Sequence, residues 1–171
     1  GRFIAFQSWA TNLVAGPSTG WPNIYVRDRL MNQTTLVSRH SDGTPGDYVS
    51  HGASISADGR YVAFESLSSN LADDDGDGTD VFRHDLLTGQ TIMVSRHTDG
   101  TPGNNPSGPL SSAQSLGVSN IGLVIFESAA TTLIDTDVNG DDDIFAREVE
   151  RVPPAFASYV PLVSVDAPGG Q

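Results

Sequence analysis

Residues 59–66 read Gly-Arg-Tyr-Val-Ala-Phe-Glu-Ser, a closely similar stretch stands at residues 1–8, and a weaker match stands at residues 122–128. The segments that follow each copy also recur, with a period of about 57 to 62 residues, and the match extends over nearly the whole chain. A fixed period of this kind is typical of repeat architectures, in which each unit buries its apolar faces against its neighbours. The sequence therefore predicts three copies of one structural unit.

Each repeat carries short β-strand patterns. In residues 60–65 the apolar side chains of Val62 and Phe64 alternate with those of Tyr61 and Ala63. Both faces of this strand are thus apolar, which is expected for a strand that lies between two packed layers. Three further short strands, separated by glycine-containing turns, are predicted in the same repeat: one at residues 53–56, one that starts at residues 81–82, and one at residues 91–95. No segment has helical periodicity, so we predict an all-β fold of four-stranded units, the β-propeller blade.

The repeat resembles a known family. Residues 56–64, Ser-Ala-Asp-Gly-Arg-Tyr-Val-Ala-Phe, resemble the blade signature of TolB-type PD40 (WD40-like) propeller repeats. The Asn-Leu pair at residues 70–71, followed by an acidic loop and by Asp-Val-Phe at residues 80–82, is similar to a subgroup found in large bacterial exported proteins. The resemblance implies a propeller fold and an extracellular, cell-surface or periplasmic location in a bacterium. It implies no reaction, because propellers carry many functions.

The repeat boundaries predict one β-propeller segment over residues 1–171. Blade one covers residues 1–46 and lacks its first strand, blade two covers residues 47–108, and blade three covers residues 109–171. Propellers usually close with about four to eight blades, so three would leave apolar faces without a partner. We therefore expect the partners to be further blades of the same protein or other protein chains, in a larger or oligomeric propeller.

The charge excludes several other partners. The chain has a net charge of −12, from 9 basic and 21 acidic residues, which argues against nucleic acid as a partner.

No apolar run approaches the roughly 18 residues that a membrane helix needs, so we expect no membrane insertion. The chain has no cysteine, which rules out disulfides and thiolate metal sites.

Two short loops hold 10 of the 21 acidic residues. Both begin with the pattern D-x-D-x-[DN]-G, at residues 73–78 and 135–140, which opens an EF-hand-like calcium loop. Alternate residues of a tightly curled backbone point at one centre, and carboxylate oxygens suit Ca²⁺. The predicted calcium ligands are Asp73, Asp75, Asp77, Thr79 and Asp80 in repeat two, and Asp135, Asp137, Asn139, Asp141 and Asp143 in repeat three.

These loops depart from the EF-hand after the glycine. No glutamate stands at position 12, so Asp80 or Asp143 would close the site, helped by water and by a backbone carbonyl of Thr79 or Asp141. In repeat one the carboxylates are replaced by Ala15, Pro17, Thr19 and Asn23, so the loop itself does not require them. Asp, Asn and Gly also favour plain turns. Against that interpretation, five like charges in about eight residues repel one another without a counter-ion.

The chain has no H-E-x-x-H pair and no phosphate-binding glycine loop. We therefore expect a non-enzymatic, calcium-stabilised module for protein interaction, adhesion or surface assembly. Two alternatives stay open. One is a carbohydrate-binding propeller that uses Trp9 or Trp21, with glycans as partners, and the other is the non-catalytic propeller part of an exported hydrolase.

Overall fold

A computed structural model describes residues 1–16, 19–73, 75, 78–108, 116–137, 139–148 and 163–164. Within these residues the fold is all-β, without helix, and consists of three antiparallel sheets of three or four strands. Each sheet takes its strands from one sequence repeat. In the described part of the chain no helix is long and apolar enough to cross a membrane.

The strands of each sheet follow one another in chain order. Sheet one contains β1 (Phe3–Ser8), β2 (Asn23–Asp28) and β3 (Gln33–Leu36). Sheet two contains β4 (Ser50–Ile55), β5 (Tyr61–Ser66), β6 (Asp80–Asp85) and β7 (Thr91–Met93). Sheet three contains β8 (Gly117–Val118), β9 (Leu123–Ser128), β10 (Asp143–Glu148) and β11 (Val163–Ser164).

Consecutive sheets pack face to face, and sheet two lies in the middle. Alternate side chains of β5 point to opposite sides: Val62 and Phe64 enter a core shared with sheet one, and Ala63 enters a core shared with sheet three. Every residue of β5 is buried. The apolar character of both faces of this strand, predicted from its sequence, is therefore confirmed.

The same internal contacts recur in each sheet. In each sheet one stacked aromatic pair joins two neighbouring strands: β1 and β2, β5 and β6, or β9 and β10. The ring centroids are 5.8, 5.7 and 5.6 Å apart in the pairs Phe6–Tyr25, Phe64–Phe82 and Phe126–Phe145. The two hairpin turns that carry Asn32 and Gly89 both use positive φ angles, 55° and 78°. Glycine and asparagine adopt this conformation most readily, which explains why these two residue types occupy the equivalent turn position.

The outer faces of sheets one and three remain apolar and exposed. Ile4 is 48% exposed, although the equivalent residue of sheet two, Val62, is fully buried. On the other side of the molecule Ile125 is 43% exposed, whereas its equivalent Ala63 is fully buried. Positions that are buried between sheets in the middle of the stack thus face solvent at both ends.

Candidate metal centre

The loop of residues 71–80, named here the repeat-two loop, ends on a buried serine–carboxylate contact. Ser95 Oγ donates a hydrogen bond to Asp80 Oδ1 at 2.7 Å and accepts one from the Val81 N–H at 3.1 Å. Sheet one has the same arrangement with Ser38 and Asn23, whose oxygens are 2.8 Å apart. The geometry at this position therefore accepts either an amide or a carboxylate, and the charge of Asp80 is not needed to close the loop.

Asp75 and Asp80 are both buried, being 4% and 6% exposed. Burial raises the pKa of Asp75, whose Oδ2 accepts a hydrogen bond from the Leu71 N–H at 3.2 Å. The pKa of Asp80 rises to about 6, mainly through burial and further through the nearby Asp75 carboxylate, while Ser95 and Arg96 act in the opposite direction. The loop thus holds two buried carboxylates close enough to repel each other, an arrangement that a bound cation would relieve.

The other predicted ligands of the repeat-two loop are placed differently. Asp73 is exposed, and its backbone carbonyl accepts a hydrogen bond from the Arg96 guanidinium. The Thr79 carbonyl accepts one at 2.8 Å from the N–H of Ser107, a residue that forms a β-bridge with Ser128 of sheet three. Asp77 lies outside the described residues. Among the residues that are described, no three or more His, Cys, Asp or Glu side chains are grouped so that they could hold a metal ion.

The loop of residues 133–143, named here the repeat-three loop, is closed by its own hydrogen bonds. Asp137 Oδ1 accepts the backbone N–H groups of Asn139 at 3.2 Å and Gly140 at 3.4 Å. Asn139 in turn accepts the Asp141 N–H at 3.3 Å and donates to Asp143 Oδ1 at 3.5 Å. Four of the five predicted ligands are thereby linked in one turn.

The fifth predicted ligand of the repeat-three loop, Asp135, contacts the preceding connector instead. Its Oδ1 lies 3.2 Å from Nε2 of His97, and Nδ1 of the same imidazole lies 3.0 Å from Asp99. The connector of repeat one has an equivalent contact between His40 and Asp42 at 3.0 Å. The repeated His-x-Asp sequence thus forms a local turn contact in both connectors, and His97 additionally joins its connector to the acidic loop.

Sequence reasoning missed an ion pair between β4 and β5. His51 Nδ1 lies 3.0 Å from Oε2 of Glu65, whose side chain is only 2% exposed. The other Glu65 oxygen, Oε1, is buried and has no hydrogen-bond partner in the described part of the chain. The pairing is visible only once β4 and β5 are aligned, because 14 positions separate the two residues in the sequence.

This pair predicts that stability falls as the pH rises above neutrality. The hydrogen bond to Glu65 raises the pKa of His51, so the contribution of the pair is complete below the ordinary histidine pKa of about 6.5 and is lost as the pH passes the raised value. We expect a loss on the order of 1 kcal/mol, because solvent screens the half-exposed imidazole. Urea denaturation at pH 6 and pH 8.5 measures it. His51→Gln and Glu65→Gln should both flatten the dependence, and an unchanged pH dependence in both variants would contradict the assignment.

The two tryptophans lie on one side of sheet one. Trp9 is 67% exposed and Trp21 is 37% exposed. Both line one small recess with Tyr25, and the Trp21 ring contacts Tyr48 of repeat two, with centroids 4.2 Å apart. Trp21 therefore contributes to packing between repeats, while Trp9 presents most of its ring to solvent.

Comparison with known proteins adds no relationship: neither a protein-family model nor a curated protein sequence matches this chain.

Proposed function

We propose that this chain is a set of β-propeller blades that calcium stabilises and that serves as a non-enzymatic interaction module. Three features support the propeller. Each repeat forms one antiparallel sheet whose strand order follows the chain, consecutive sheets pack face to face, and both outer faces expose apolar residues at positions that are buried in the middle sheet. Further blades or other protein chains would cover those outer faces.

The buried carboxylates of Asp75 and Asp80 carry the calcium proposal. The sequence places Asp75 in the EF-hand-like opening of residues 73–78 and Asp80 two residues after it, and both side chains are buried and near enough to repel each other. Two ionised carboxylates in such a place destabilise the fold unless a cation neutralises them. The repeat-three loop has the same opening and supplies Asp137, Asn139 and Asp143 in one hydrogen-bonded turn. A hard divalent cation with oxygen ligands fits this chemistry.

Calcium titration by calorimetry tests the proposal. We expect saturable binding of two Ca²⁺ ions per chain, one in each acidic loop. Asp80→Asn and Asp137→Asn should each remove one site, because the amides keep the hydrogen bonds seen at these positions but lack the charge. Asp42→Asn, which changes an exposed carboxylate outside both loops, serves as the matched control and should leave two sites. A wild-type protein that binds no calcium would contradict the proposal.

The proposed location follows from the proposed metal. Calcium sites of extracellular modules work at about 0.1–1 mM, far above cytosolic levels. A module stabilised by calcium therefore fits an extracellular, cell-surface or periplasmic setting, which is also what the resemblance to exported propeller repeats implies.

A carbohydrate-binding propeller is the second candidate, and the exposure of Trp9 favours it. An indole ring with 67% of its surface exposed beside a second tryptophan can stack on the apolar face of a sugar. A glycan array with wild type and Trp9→Ala separates the two candidates, since the calcium-stabilised interaction module requires no glycan.

A further inference from the structure

The groove between sheets two and three is filled by an arginine. The Arg83 Nη1 of β6 donates a hydrogen bond to the Gly122 carbonyl of sheet three at 3.2 Å. The Arg83 guanidinium also lies 4.8 Å from the ring centroid of Tyr61, and the guanidinium of Arg60 lies 4.7 Å from the same ring. Tyr61 is therefore in cation–π contact with two guanidinium groups at this point.

The groove between sheets one and two contains an equivalent glycine, aromatic ring and first arginine. Gly59 corresponds to Gly122: both have positive φ angles, 79° and 86°, and both donate their N–H to the serine carbonyl three residues earlier, at 2.9 and 3.0 Å. A Cβ atom on Gly59 would lie 2.0 Å from Phe3, which has the sequence position of Tyr61. A Cβ atom on Gly122 would lie 2.4 Å from Arg83 Nη1 and 3.4 Å from Tyr61, so the Phe3 ring lies closer to its glycine than the Tyr61 ring does. The Arg2 guanidinium lies 4.6 Å from the Phe3 ring centroid, and Arg2 is the residue equivalent to Arg60.

One residue of this framework is changed. The position of Arg83 in β6 corresponds to Val26 in β2, so the second guanidinium is missing. A cavity of about 360 Å³ lies beside Val26. Its lining includes Phe3, Gly59 and Leu86, and the carboxylates of Asp28 and Asp58. Within the described part of the chain no side chain donates to the Gly59 carbonyl, the equivalent of the group that Arg83 binds.

The charges around the cavity leave one carboxylate for a ligand. Asp28 is paired with Arg2 at 2.6 Å, and Arg60 is paired with Asp85 at 2.7 Å. Asp58 accepts hydrogen bonds from Ser56 Oγ at 2.6 Å and from the Arg60 N–H at 3.1 Å, but it forms no ion pair with a described residue. The net charge of −12 further favours a cationic ligand.

We propose that this cavity is a binding site for one arginine side chain of a partner protein. The aliphatic stem lies along Val26 and Leu86, and the guanidinium stacks on Phe3 and donates hydrogen bonds to the Gly59 carbonyl and the Asp58 carboxylate. A planar guanidinium can lie over an aromatic ring and donate to a glycine carbonyl, as Arg83 does in the other groove, and an ammonium group cannot stack in this way. That the arginine comes from a partner protein rests on the proposed interaction function. The binding of a guanidinium in the cavity does not depend on calcium.

Titration with N-acetyl-arginine methylamide, followed by amide NMR, tests the site. We expect saturable shifts of the Val26 and Gly59 amides with a Kd on the order of millimolar, as fits a single side chain. N-acetyl-citrulline methylamide, which has nearly the same shape but no charge, should bind at least tenfold more weakly. Equal binding of the two probes, or the absence of a saturable shift at Gly59, would overturn the proposal. The result should be the same in calcium and in chelator, so it is independent of the calcium titration.

Two variants, Val26→Arg and Arg83→Ala, locate the binding in the groove, and Ile144→Arg is the control. Val26→Arg supplies the missing guanidinium from within and should weaken probe binding at least tenfold. Ile144→Arg adds the same charge on the exposed face of sheet three and should leave binding unchanged. Arg83→Ala makes the reverse change, opens the second groove, and should raise the stoichiometry from one probe to two, with new shifts at Gly122. Unaltered binding in Val26→Arg, or a stoichiometry that stays at one in folded Arg83→Ala, would contradict the assignment.

Discussion

Phe64→Ala is expected to lower the free energy of unfolding by about 3–5 kcal/mol. The Phe64 side chain is fully buried, stacks on Phe82 with ring centroids 5.7 Å apart, and belongs to the core that joins sheets one and two. Its removal deletes apolar area and leaves a cavity between two sheets that cannot both move to fill it. Urea denaturation of wild type and variant measures the difference directly.

Phe6→Ala is the matched control, because Phe6 holds the same position in sheet one and stacks on Tyr25 at a similar distance, 5.8 Å. Phe6 is only half-buried, since it lies on the outer face of sheet one. We expect this variant to lose at most about half as much stability as Phe64→Ala. Equal losses would show that the outer face of sheet one is covered in solution, as in an oligomeric propeller, and is not exposed as it is in the single chain.

The repeats and most strands could be predicted from the sequence because their signals are local. Alternating apolar residues and glycine turns indicate strands whatever lies beside them, and the hairpin position shared by Asn32 and Gly89 follows from φ preference alone. The strand predicted over residues 91–95 is shorter, since β7 ends at Met93. The Val94 and Ser95 N–H groups both point to the Val81 carbonyl, which interrupts the regular ladder there.

Contacts between repeats could not be predicted, because they depend on how the sheets stack. The acidic pattern pointed to the loops, but not to the burial of Asp75 and Asp80, which distinguishes them from the exposed Asp73 and Asp135. Arg147 is a further example. It donates hydrogen bonds to the carbonyls of Val94 at 3.1 Å and His97 at 3.3 Å in the preceding repeat, and no local pattern marks it.

The change from Arg83 to Val26 is visible when the repeats are aligned, yet its meaning is not. A valine in a strand is unremarkable by itself. Only the neighbouring sheet shows that the same framework of aromatic ring and glycine carbonyl surrounds both positions, and that one of them lacks its guanidinium. The proposed arginine site therefore rests on the packing of neighbouring sheets, which the sequence alone does not show.

Each bound calcium ion is expected to raise the melting temperature of the wild-type protein by about 5–10 °C, so the two sites together should raise it by about 10–20 °C. A ligand at about one hundred times its Kd stabilises the folded state by about 2.7 kcal/mol for each site, and one kcal/mol corresponds to about 2–4 °C in a chain of this size. The metal would neutralise the carboxylates of Asp75 and Asp80 that the fold holds together. Magnesium, which prefers to keep its water ligands, should raise the melting temperature less.

Asp80→Asn should have opposite effects in chelator and in calcium. In chelator at pH 7 the variant is expected to melt higher than wild type, because the raised pKa of about 6 shows that the buried Asp80 carboxylate destabilises the fold. The asparagine can keep the contact with Ser95, as Asn23 keeps its contact with Ser38. In saturating calcium the order should reverse, since the variant lacks a ligand.

The most direct test is therefore thermal melting of wild type and of Asp80→Asn combined with Asp137→Asn, each in saturating calcium and in excess chelator. The account predicts that calcium stabilises the wild type by about 10–20 °C, that the double variant responds little, and that Asp42→Asn responds like wild type. Identical melting of the wild type in calcium and in chelator, or a full calcium response in the double variant, would contradict the claim that these loops are calcium sites.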